Sequence, residues 1–96
     1  MTSDLLDLSL SHAKMGKALF DAKCYGEALD AYRKSEEIFD KLVTADPENV
    51  ELQGYLSVGY EKVGDTLSIC GSKEEALEFY RKGLAIRRSK SVKRSL

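Results

Sequence analysis

GEALDAYRKSEEI, from Gly26 to Ile38, and EEALEFYRKGLAI, from Glu74 to Ile86, are two versions of one phrase set 48 positions apart. A chain that repeats itself at a fixed period must bury the same pattern twice, so the repeat constrains the architecture before any local signal does. At this offset 12 positions are identical, among them Ser9 and Ser57, Lys14 and Lys62, Gly16 and Gly64, Glu27 and Glu75, Ala28 and Ala76, and Tyr32 and Tyr80. The glycines are the most informative. Inside a helix glycine costs about 1 kcal/mol relative to alanine, so one that recurs at the same phase calls for a packing reason. Ala28 and Ala76, on the helices that follow, predict a contact of small residue against small residue that lets helix backbones approach closely.

The apolar residues recur with the 3.6-residue period of amphipathic helices. In the second predicted helix Ala28, Tyr32, Ser35, Ile38, Phe39 and Leu42 share a stripe, while Arg33, Lys34, Glu37, Asp40 and Lys41 fall largely on the other side. In TADPENVEL, Asp46 is suited to cap a helix that begins at Pro47, where the missing N–H would have had no partner. Short turns stand at AKCYGEA and CGSKEEA. In the second, Ser72 and Glu75 make an S-x-x-E capping box; Cys24 occupies the serine's place in the first, which predicts a weaker cap. The pattern predicts four helices, at about 4–22, 25–44, 47–70 and 73–88, joined by turns short enough to make neighbours antiparallel. The chain is therefore read as one all-α domain over 1–96: two helical hairpins in series, with repeat 1 at about 1–45, repeat 2 at about 46–88 and a basic tail at 89–96.

A composition of 43% apolar and 32% charged residues with a single proline suits a folded helical chain. The net charge of -1 hides an asymmetry, because residues 1–48 carry 6 basic and 10 acidic groups and residues 49–96 carry 9 and 6. From Arg81 onward there are seven basic residues, Lys90, Lys93 and Arg94 among them, and no acid. A helix C-terminus favours positive charge, so the tail reads as a last turn followed by a frayed, soluble end. Nucleic-acid contact through the tail is the weaker reading, since no aromatics interleave with the charges. Cys24 and Cys70 lack metal-knuckle spacing and read as reduced, buried structural thiols in a reducing compartment. With no apolar run near the roughly 18 residues of a membrane span and no signal-peptide pattern, the expectation is a cytoplasmic protein.

Tyr60, Val63, Gly64, Leu67, Ala76, Tyr80, Gly83 and Leu84 fall at spacings that resemble the large, large, Gly, large, Ala, aromatic, small and large sites of the tetratricopeptide repeat family. The first copy places His12, Met15, Gly16, Leu19, Ala28, Tyr32 and Ser35 at the same sites, and Glu36 where an apolar residue is usual. The period is 48 rather than the family's usual value of about 34, which fits if each helix gains about two turns and keeps its packed face. The chain thus looks like the lengthened repeats of bacterial multidomain signalling proteins. The resemblance implies a short α-solenoid that binds another protein or peptide, with no catalytic activity and no cofactor. It places the concave groove near Lys17, Phe20, Asp21, Glu61, Asp65 and Ile69, with Ala13 and Val58 as its floor. Glu61 and Asp65 on that face argue for a mixed-charge or basic partner segment.

No constellation of catalytic residues competes with that reading. His12, the one histidine, stands where the repeat puts a large core residue and reads as packed and hydrogen-bonded. Glu36, Glu37 and Asp40 cluster on a helix face as solvated charge rather than as a metal site. The final helix is more apolar than its counterpart: Phe79 stands at the place of Ala31, Leu84 at that of Glu36 and Ala85 at that of Glu37. A strip of that kind predicts self-association as a homodimer or a head-to-tail oligomer, so a structural assembly module is the alternative to a groove-binding scaffold.

Overall fold

The computed structural model describes the backbone of residues 2–95 and the side chains of residues 4–89. Four helices follow one another: α1 (Thr2–Asp21), α2 (Tyr25–Ala45), α3 (Val50–Ile69) and α4 (Lys73–Ser95). Among the described residues there is no strand, and each helix packs on the next in the chain. The 48-residue offset carries both ends of α1 onto both ends of α3, so the sequence repeat is also a structural one. The molecule measures 42 × 32 × 17 Å, and its thin dimension matches two layers of helices at ordinary interaxial spacing.

Two turns close the hairpins by the same device. After α1, the N–H of Cys24 donates to Leu19 O and that of Lys23 to Phe20 O; after α3, Ser72 donates to Leu67 O and Gly71 to Ser68 O. Both are Schellman closures, which need a left-handed residue, and Lys23 (φ 64°) and Gly71 (φ 93°) occupy it at equivalent positions. Cys24 follows as the α2 N-cap and makes no side-chain capping bond. Glu75 of the expected capping box has its carboxylate turned to Arg33 of α2, at 3.5 Å.

Between the hairpins the structure corrects the expected start of α3. Asp46 does not open that helix. Its N–H donates to Leu42 O and Val43 O, which makes it the C-cap of α2, and its carbonyl accepts from the N–H of Asn49. Asp-Pro-Glu-Asn thus forms a turn with proline at its second position, where its fixed φ belongs. Asn49 then caps α3 by accepting from the N–H of Leu52 at 3.1 Å. The last helix also differs from expectation, since its backbone continues past residue 88 to Ser95; the side chains of Lys90, Lys93 and Arg94 lie outside the described residues.

The core lies along the inner stripes and falls into two clusters. One joins Ala28, Tyr32, Val63, Leu67 and Ala76; the other joins Phe39, Leu42, Leu52, Leu56 and Tyr60. The reason for the recurring glycines is not the alanine contact expected. A Cβ on Gly16 would lie 2.7 Å from the Tyr32 ring, and one on Gly64 would lie 2.7 Å from the Tyr80 ring. Each glycine is the seat of a tyrosine ring, at the same offset in both repeats. Buried hydroxyls repeat as well: Ser9 Oγ donates to Ser35 O at 2.7 Å and Ser57 Oγ to Gly83 O at 3.3 Å, so both serines satisfy their polarity inside the hairpin.

Candidate functional site

A cleft of about 390 Å³ runs between α1 and α3 and is floored by α2. Helix α1 contributes Leu10, Ala13, Lys14 and Lys17; α2 contributes Tyr32, Ser35 and Phe39; α3 contributes Tyr55, Val58, Gly59 and Lys62. Two features hold its walls. Phe39 and Tyr55 stack with ring centroids 5.3 Å apart, closing one end with aromatic surface. At Gly59 α3 meets α2 beside Glu36, where an added Cβ would stand 3.6 Å from the Cβ of Glu36, an ordinary packing distance. Burial pushes the Tyr32 phenol upward, with the Lys17 charge opposing it, so the floor is neutral at ordinary pH.

All three charged residues lining the cleft are lysines. Lys14 and Lys62 are repeat equivalents, and neither has an ion-pair partner among the described residues. Lys17 pairs with Asp21 at 2.9 Å, and that hydrogen bond raises its pKa above the ordinary lysine value. Phe20 and Asp65 sit beside the cleft, where they line a small depression with Tyr32 and Lys62. Asp65 is engaged there as the acceptor of the Tyr80 hydroxyl at 2.5 Å. That bond, with burial second, pushes the Tyr80 phenol up to about 12.

Of the residues expected at the groove, Lys17, Ala13 and Val58 line the cleft, and Phe20 and Asp65 border it. Ala13 and Val58 stand on its walls rather than as the expected floor, which α2 forms. Asp21 reaches it only through Lys17. Glu61 is turned to α4, where it pairs with Arg87 at 2.6 Å, and Ile69 is half exposed at the end of α3, outside the cleft lining. With Glu61 turned away, the charged residues lining the cleft itself are all basic, and Asp65 remains at its border. Lys14 and Lys62 were legible as an identical pair in the repeat, but only the helix rotation shows that both face the cleft. A second, more open cleft of about 460 Å³ lies on the opposite side, where Val43 and Pro47 face Lys82, Ala85 and Ile86 across Leu56 and Tyr60.

Three further expectations change. Cys24 and Cys70 are both free and exposed, not buried, because they stand at the helix ends next to the Schellman turns. His12 is half-buried, and no hydrogen bond to its ring occurs among the described residues, so the expected hydrogen-bonded histidine is not found there. Phe79 is not part of an exposed strip: it packs against both core clusters, with the Lys82 ammonium 4.8 Å from its ring centroid. Leu84 and Ala85 are exposed as expected. Glu36 is half-buried, and burial is the main cause that raises its carboxyl, with Asp40 adding to it. Glu37 and Asp40 are exposed, and no group of three metal-ligating side chains is assembled among the described residues. No described helix is long and apolar enough to cross a membrane.

Neither family models, nor curated proteins, nor solved structures match this chain.

Proposed function

We propose that the chain is a non-catalytic scaffold that holds an extended or helical segment of another protein in the cleft between α1 and α3. The observation that carries this reading is the composition of that cleft: an apolar floor and walls, Tyr55 and Val58 exposed at its mouth, and lysines from both repeats at its edge. Surface of this kind suits apolar side chains from a partner, and the ammonium groups suit carboxylates beside them. The preferred segment is therefore acidic with large apolar residues. The resemblance to tetratricopeptide repeats supports the same reading, as does the recurrence of Gly–Tyr seats and buried serines at the repeat offset. Two exposed free thiols fit a reducing, cytoplasmic setting.

The test uses immobilised folded chain and randomised peptides of acidic, neutral and basic composition. Enrichment of acidic peptides, lost with Val58→Glu and weakened about tenfold with Lys14→Glu plus Lys62→Glu, supports the proposal. Retention of the same peptides by Val58→Glu at wild-type helicity refutes it.

A further inference from the structure

The junction between α2 and α3 is a worked example of how one repeat stacks on the next, and the offset of 48 shows what each end of the molecule presents in its place. On α3, Leu56 and Val63 are 3% and 0% exposed, in clusters shared with Phe39 and Tyr32 of α2. Their equivalents on α1, Leu8 and Met15, are 47% and 55% exposed. On α2, Leu29 and Glu36 are half-buried; their equivalents on α4, Leu77 and Leu84, are 48% and 47% exposed. The α1 face and the α4 face are thus the two halves of one junction, each left uncovered.

We propose that the chain binds a second copy of itself head to tail, with α4 of one copy packed on α1 of the next as α2 packs on α3. Charge complementarity selects this occupant. The internal pair Arg33–Glu75, 3.5 Å apart, maps onto Arg81 of one copy and Glu27 of the next, both exposed and without an ion-pair partner among the described residues. The internal stack of Phe39 on Tyr55 maps onto Arg87 and Asp7, so an aromatic contact inside the chain becomes a cation facing a carboxylate between chains. Arg87 already holds Glu61 at 2.6 Å, and its guanidinium has donors enough for both carboxylates. The shape is compatible too. Glu36 lies over Gly59, where a Cβ would meet it at 3.6 Å, an ordinary contact; the equivalent meeting is Leu84 over Ser11.

Such a contact is heterologous and propagates, so the mass of the wild-type chain climbs past that of a dimer as concentration rises. Two single variants at exposed positions separate this arrangement from its rivals. Leu8→Glu blocks only the α1 face and Leu84→Glu only the α4 face. Each alone sediments as a monomer at about 100 μM, and an equimolar mixture forms a 1:1 dimer and nothing larger. Arg81→Glu weakens association roughly tenfold, and adding Glu27→Arg to the same chain restores it. A wild-type chain that stays monomeric at that concentration overturns the proposal. So does a Leu8→Glu chain that dimerises alone, which would mean symmetric pairing of α4 with α4. Association indifferent to Arg81→Glu overturns the register.

Discussion

Gly64→Ala places a methyl group where the Tyr80 ring already lies, with ring carbons 2.7, 2.9 and 3.1 Å from the new Cβ. Carbon atoms in good contact stand about 3.5–4.0 Å apart, so the ring must retreat by the better part of an ångström. It is not free to do so, because its hydroxyl is tied to Asp65 at 2.5 Å. Overpacking of this kind costs about 1–3 kcal/mol, against which alanine regains up to about 1 kcal/mol of helix propensity. The net loss is about 1–2 kcal/mol, and for a chain of this length that lowers the melting temperature by roughly 5–10 °C. Thermal denaturation followed by circular dichroism reads the change directly. Gly26→Ala is the control: nothing lies within 4 Å of its Cβ, so propensity acts alone and the melt holds or rises. Tyr80→Leu supplies the second arm, because in that background Gly64→Ala loses its penalty. A Gly64→Ala protein that melts at or above wild type would refute the ring-seat account of both repeats.

The left-handed turn positions give an opposed pair: Lys23→Gly relieves a backbone conformation costly for a side-chain-bearing residue and stabilises by about 1 kcal/mol, while Gly71→Ala destabilises by a similar amount, both read by urea denaturation. Asn49→Ala removes the cap of α3 and costs about 1 kcal/mol, and Asp46→Ala costs less, an order that reverses if Asp46 is the true cap. Tyr60 and Tyr80 bind their phenolic protons more tightly in the folded chain than the ordinary value of 10.0, each with a pKa of about 12. The stability they contribute is therefore complete below pH 10 and is lost as pH climbs from there through about 12. Tyr80→Phe should flatten that alkaline decline in a series of melts; an unchanged slope counts against the Asp65 bond as its cause.

The architecture was legible because it rests on period and repetition. Gly16, Gly64, Tyr32 and Tyr80 announce equivalent packing whatever they touch, although the sequence pattern paired each glycine with an alanine, since no linear spacing tells which side chain of a facing helix reaches a given site. Asp46 and Asn49 are both good caps, and the choice between them fell to the geometry of the Asp-Pro turn. The site was less legible. Glu61 and Lys62 are neighbours in sequence but point about 100° apart around the helix axis, so one faces α4 and the other the cleft, and linear spacing alone does not say which. The exposure of Cys24 and Cys70 follows from the Schellman turns, which place them at hairpin ends beyond the packed stripe.

The groove itself is tested most directly by recording amide chemical shifts of the labelled chain during titration with the tightest acidic peptide from the randomised pool. The proposed function predicts that the largest changes trace Leu10, Ala13 and Lys14 on α1 and Val58, Gly59 and Lys62 on α3, with the outer face of α4 unmoved. Changes confined to Leu77, Arg81 and Leu84, or spread along the opposite cleft at Lys82, Ala85 and Ile86, would contradict it.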